Sequence, residues 1–183
     1  MVPQRPARPA LAALAVAGLL AGCAAQPGTA ASINGVRVSE DDLADAHGDY
    51  VALTNQPTEP AVVLNTMLAA EVLPGIAAEH DVVLSDDDVV SLLDRQAEAA
   101  GTTAPEDGYS DAFVDLGRYL FLVPSLQNAQ QGQAVLEEFS TAMADADIEV
   151  NPRYGTVDET GIISPLSPDW IAQPEGADPG LDR

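Results

Sequence analysis

The chain contains no lysine, and its seven arginines face 29 acidic residues, for a formal charge of −22. A surface of one sign repels phosphodiester backbones and anionic lipid headgroups, which argues against nucleic acid as a partner. Cysteine is nearly missing: Cys23 stands alone, so no disulfide can close within the chain. Aromatic residues make up 4% of the sequence, too few to furnish the stacking platforms of a sugar-binding cleft. Reactive constellations are missing too. No Gly-x-Ser-x-Gly elbow, phosphate-cradling glycine loop or zinc-ligand spacing occurs. His47 and His80, the two histidines, lie far apart with no reactive cysteine beside them, which leaves hydrolase chemistry unmotivated. The expectation is a protein that is not an enzyme and takes neither cofactor nor metal.

What is present begins with an address. Arg5 and Arg8 precede the apolar run ALAALAVAGLLAG, Ala10 to Gly22. A helix of that length covers about 20 Å, short of the ~30 Å hydrocarbon core of a bilayer. Residues 1–22 therefore read as a signal peptide and not as a membrane span. The run ends in Leu20-Ala21-Gly22-Cys23, which resembles the bacterial lipobox. That resemblance implies cleavage before Cys23 and a thioether-linked diacylglycerol, with palmitate-type chains, on its sulfur. Lipidation also explains a single cysteine in an exported chain. It places the protein at the cell membrane, lipid-anchored on the extracytoplasmic face. From Cys23 onward five arginines stand against all 29 acids, a charge of −24 that keeps the domain soluble and off the headgroups. Residues 23–31 are small and read as the lipidated cysteine and its tether.

The stretch 32–155 reads as one mostly α domain. Asn34-Gly35 between Ile33 and Val36 is a tight-turn signal and predicts a hairpin. Ser39-Glu40-Asp41-Asp42 follows as a capping-box start, with acid at the positive end of the helix dipole. The first helix is expected to run to about Leu53. A second opens at Thr58-Glu59-Pro60, is kinked or broken by Pro74-Gly75, and continues to about Asp81. Ser85-Asp86-Asp87-Asp88 caps a third, whose apolar stripe Val89, Leu92, Leu93 and Ala97 closes at Gly101. DAFVDLGRYLFLV predicts a fourth, ending near Pro124, and a fifth is expected from about Leu126 to Ala144. At Ile148–Val150 the period changes to that of a strand. The expected architecture is a helical lobe of about five helices with a small β closure, made by the N-terminal hairpin and the C-terminal strand. Residues 156–183, rich in Pro, Gly and Ser, read as a tail whose one apolar patch is Asp169-Trp170-Ile171.

Asn151-Pro152-Arg153-Tyr154-Gly155 stands out against this background. Arg153 is the only cation between Arg118 and Arg183, and Asp145, Asp147, Glu149, Asp158 and Glu159 surround it in sequence. A bidentate carboxylate pair is expected for it. Pro152 sets the turn, Tyr154 packs back on the helices and Gly155 permits a positive-φ exit. Arg153, Tyr154 and Pro152 are thus read as a structural clasp. The triple acid at 86–88 lacks the alternate spacing of a calcium loop and is read as a cap. His47, with acids at i±2, belongs to a solvated helix face, and His80 to a helix end.

Three stretches carry a family resemblance. ASINGVRVSE, Ala31 to Glu40, is similar to the strand-turn-helix that opens the SurA N-terminal-like chaperones, the group related to SurA, PrsA and trigger factor. AAEHDVVLSDDDVVSLLD, Ala77 to Asp94, resembles their second signature, with His80-Asp81 in place of the usual glycine. IEVNPRYG, Ile148 to Gly155, looks like their closing strand and turn. Many relatives insert a parvulin prolyl isomerase before that closing segment. The stretch from Gly101 to Ile148 is too short for one, so the resemblance implies the chaperone scaffold without isomerase activity.

The resemblance implies a holdase for unfolded exported polypeptides, whose interhelical groove would be lined by Phe113, Leu120, Phe121 and Leu126; the first reading of these four residues is plain core, and they are not assigned as a site. The alternative is an adaptor or structural lipoprotein that docks one folded envelope partner, with Trp170 as its candidate contact. A third reading, a cation-binding lipoprotein, rests on the charge alone.

Overall fold

The computed structural model describes residues 27–164. Its order is β1 (Thr29–Ile33), β2 (Val36–Ser39), α1 (Glu40–Thr54), α2 (Pro60–Ala70), α3 (Leu73–Glu79) and α4 (Asp86–Ala100). Then come α5 (Asp111–Gln127), α6 (Gly132–Ala144), β3 (Ile148–Val150), β4 (Thr156–Val157) and β5 (Ile163–Ser164). α2 and α3 are the halves of one interrupted run, so the chain folds as the mostly α lobe expected, with a small sheet at its two ends. β1 is the central strand of an antiparallel sheet in the order β2-β1-β3. Residues Ala31, Ser32 and Ile33 face Val150, Glu149 and Ile148 across it.

Local chemistry sets most boundaries. Asn34 at φ 51 and Gly35 at φ 82 make the hairpin turn, both in the left-handed region that tight hairpins need. Ser39 and Ser85 each accept from the backbone N–H of the third helical residue, and Asp42 and Asp88 reach back to the cap, so both predicted capping boxes form. Pro74 lies in the first turn of α3, where no intrahelical bond needs its missing N–H; the break itself falls just before, at Glu71–Val72. The Pro60–Glu79 run has the length and mean hydropathy, 1.6, of a spanning helix. Its apolar residues Leu64, Leu68, Leu73 and Ala77 are spent on the core instead.

α5 is the hub, packing on α1, α2, α3, α4 and α6. At Gly117 the side of α4 comes so close that an added Cβ would lie 3.1 Å from Val89 Cγ1. Two apolar clusters form. The larger joins the sheet to α1, α2, α4 and the first half of α5; the smaller gathers Leu73, Ala77, Leu122, Leu126 and Val135 beneath α3 and α6.

Several boundaries differ from expectation. Part of the predicted 23–31 tether is folded: Thr29 pairs with Ser39, and Ala30 and Ala31 are buried. Their small side chains are what allows the helices to pack on this strand. α5 does not stop at Pro124 but runs through it, because burial of Leu122 and Leu126, one turn apart on one face, outweighs the bond lost at proline. α6 consequently begins at Gly132. The predicted 156–183 tail is also partly folded. β4 and β5 pair over Thr156–Ser164, and Ile163 is 3% exposed in the main core. Asn65 of α2 holds it there, accepting from the Ile163 N–H at 2.8 Å and donating to its carbonyl at 3.0 Å.

Candidate functional site

The predicted clasp is built by Asn151 as much as by Arg153. Asn151 N–H donates to the Ala30 carbonyl at 2.9 Å, extending the β1–β3 ladder by one rung. Its side-chain amide donates to the Thr29 carbonyl at 3.2 Å, and its side-chain oxygen accepts from Arg153 N–H at 3.1 Å. Tyr154 N–H returns to the Asn151 carbonyl at 2.9 Å, closing a turn with Pro152 exposed at its tip. Gly155 leaves at φ 141, and an added Cβ would stand 2.2 Å from the Ser164 carbonyl oxygen, so no larger residue fits.

Arg153 Nη1 donates to Glu40 Oε1 at 2.9 Å, and its guanidinium lies 5.5 Å from the Tyr154 ring centroid. The hydrogen bond to Glu40 and that carboxylate's charge push the Arg153 pKa above its ordinary value. The partner is thus none of the five acids near it in sequence but the first residue of α1, through one oxygen of the carboxylate. Pro152, Arg153 and Tyr154 are consecutive in this turn, and the Arg153 side chain reaches across to Glu40. It ties β3 to the place where the chain enters β1 and leaves β2 for α1. Glu40 N–H donates to the Gly28 carbonyl at 2.9 Å in the same corner.

The other sequence candidates have structural partners. Asp88 caps α4, and Asp86 pairs with Arg118, which also binds Asp115 and the Leu84 carbonyl. His47 Nε2 meets the Thr58 carbonyl at 2.7 Å, and His80 Nε2 meets Glu138 Oε2 at 3.0 Å, tying α3 to α6. Among the described residues no group of three or more His, Asp or Glu side chains is arranged to hold a metal ion. Of the four residues read first as core and second as groove lining, Phe113 and Leu126 are fully buried in different clusters, Phe121 is half-buried, and only Leu120 is substantially exposed, at 40%. Cys23 and Trp170 lie outside the described residues.

Beside the clasp corner, the N-terminal turns of α1 and α5 and the C-terminal end of α2 enclose a cleft of about 170 Å³. Val38, Met67 and Leu116 supply apolar wall, and Asp42, Glu71 and Asp115 supply charge. Glu71 caps the C-terminus of α2, the negative end of that helix. Crowding around its carboxyl, then the charges of Asp115 and Asp42, raise its pKa. No sequence pattern marks this cleft, because its walls come from three separate segments.

No protein-family model, characterised protein or solved structure matches this chain. The functional reading therefore rests on its own residues.

Proposed function

We propose that this chain is an exported, lipid-anchored, non-catalytic envelope protein, built on a scaffold of the SurA N-terminal type, that docks one folded polypeptide partner. The observation that favours docking over holding unfolded chains is the filled interior. Phe113 and Leu126, which a client groove would have to expose, are core residues at 0% exposure. Among the described residues the large apolar side chains in solvent are Val36, Val62, Val83, Leu120 and Ile162, which come from five different segments. Single exposed apolar residues are ordinary on a soluble surface, whereas a holdase needs a contiguous patch. A folded partner requires no such groove, and a partner with cationic groups complements a chain that carries −24 from Cys23 onward.

The resemblance to the chaperone group supports a polypeptide as the partner and keeps the holdase as the second reading. Light scattering of an unfolding client, with residues 24–183 added at several ratios, separates them. The docking reading expects no suppression by the folded domain, together with a single site-specific cross-linked partner in the envelope. Suppression near equimolar ratio would replace it with the holdase.

A further inference from the structure

Gly28, five positions after Cys23, is part of the described fold, so a lipid on Cys23 would restrict which end of the domain meets the membrane. Gly28 is already held, its carbonyl accepting from Glu40 N–H at 2.9 Å, and Thr29 is paired with Ser39. Whatever path the intervening residues take, five residues from Cys23 to Gly28 span at most about 18 Å. A domain of roughly 140 residues has a radius of gyration of about 14 Å, and so measures about 36 Å across. The tether is half that diameter. To bring the far side of the domain to the bilayer it would have to wrap a path of about 55 Å around the surface, which it cannot do.

Resting on the lipid-anchor reading above, we propose that the corner formed by Gly28, Ser39–Asp42 and Asn151–Arg153 is the bilayer-facing surface of the protein. The end of β1 carrying the Asn34-Gly35 turn and Asp147 points away, and a soluble partner is met on that distal side. Asn34 N–H donates to the Asp147 carbonyl there at 2.8 Å. Five residues of strand set the two ends about 17 Å apart. The bilayer-facing corner carries Asp41 and Asp42 in solvent, so it does not adhere to anionic headgroups. The clasp acquires a role from this placement: any pull from the lipid enters at Gly28, and the Asn151 and Arg153 contacts hold the strand that receives it.

The test uses the lipidated full chain in phosphatidylcholine vesicles containing a headgroup-labelled energy acceptor. A donor dye is attached at Asp41→Cys or at Asp147→Cys, which are exposed acids at the near and distal ends. The expected result is clearly stronger transfer from position 41 than from 147, and loss of that difference when twenty Gly/Ser residues are inserted after Gln26. Equal transfer with the native tether, or a difference that survives the insertion, overturns the orientation. Mass analysis and a Cys23→Ser control test the anchor separately. A chain without the diacylglycerol mass sinks the anchor and the orientation together, whereas a lipidated chain with equal transfer sinks the orientation alone.

Discussion

At the scale of single residues, Glu71 is a carboxylate that the fold works against. It ends α2, and both Asp115 and Asp42 face it across the cleft. Its folded pKa lies above the ordinary 4.5, so between those two values the native state binds more protons than the unfolded chain. Stability from this residue is therefore fully present below the ordinary value and is lost as pH rises through the folded one. Glu71→Gln is expected to unfold at a higher temperature than the parent at pH 7 and at the same temperature near pH 3.5. The residue is exposed, so solvent screening keeps the gain under about 1 kcal/mol. Thermal melts across that range check both the sign and the window. Asp88 and Asp158 behave oppositely: hydrogen bonds from the Ser85 side chain and from Thr160 hold them below their ordinary values. Their contributions are lost as acid is added.

At the scale of elements, single polar side chains fasten the end of one element to its neighbour. Asp49 of α1 accepts from the Ser110 N–H at 2.8 Å and from its hydroxyl at 2.7 Å, which sets the start of α5 against α1. Asn65 does the same for β5, meeting both backbone groups of Ile163 as a neighbouring strand would. Two such bonds at a part-buried site contribute about 1–3 kcal/mol. Asn65→Ala should thus release Thr156–Ser164 from the lobe before the helices unfold. Limited proteolysis is expected to cut near Glu159 in the variant and spare the parent, while Thr66→Ala, one position along, leaves the pattern unchanged.

At the scale of the whole molecule, the charge of −22 opposes compaction, and only seven arginines are available to offset it. Screening should relieve this more than it weakens ion pairs such as Arg118 with Asp86 and Asp115 and Arg153 with Glu40. Raising NaCl from 10 mM to 500 mM is expected to increase stability by about 1 kcal/mol, seen as a rise of roughly 3–5 °C in calorimetry. An unchanged or lower midpoint would mean that the acids are already neutralised by specific contacts.

The sequence alone determined the features whose causes are local. The Asn34-Gly35 turn, the serine caps of α1 and α4, the interruption near Pro74 and the strand at Ile148–Val150 each follow from a few adjacent residues. The mostly α lobe closed by both chain ends could be read from their order. Only the tertiary structure decided what depends on distant neighbours. Arg153 chose Glu40, 113 residues away, over the acids beside it. α5 passed through Pro124 because Leu126 had a core to enter, and Ile163 left the supposed tail because Asn65 was there to receive it. Local pattern reports what a segment prefers, whereas burial and partner choice depend on which surfaces the folded chain brings together.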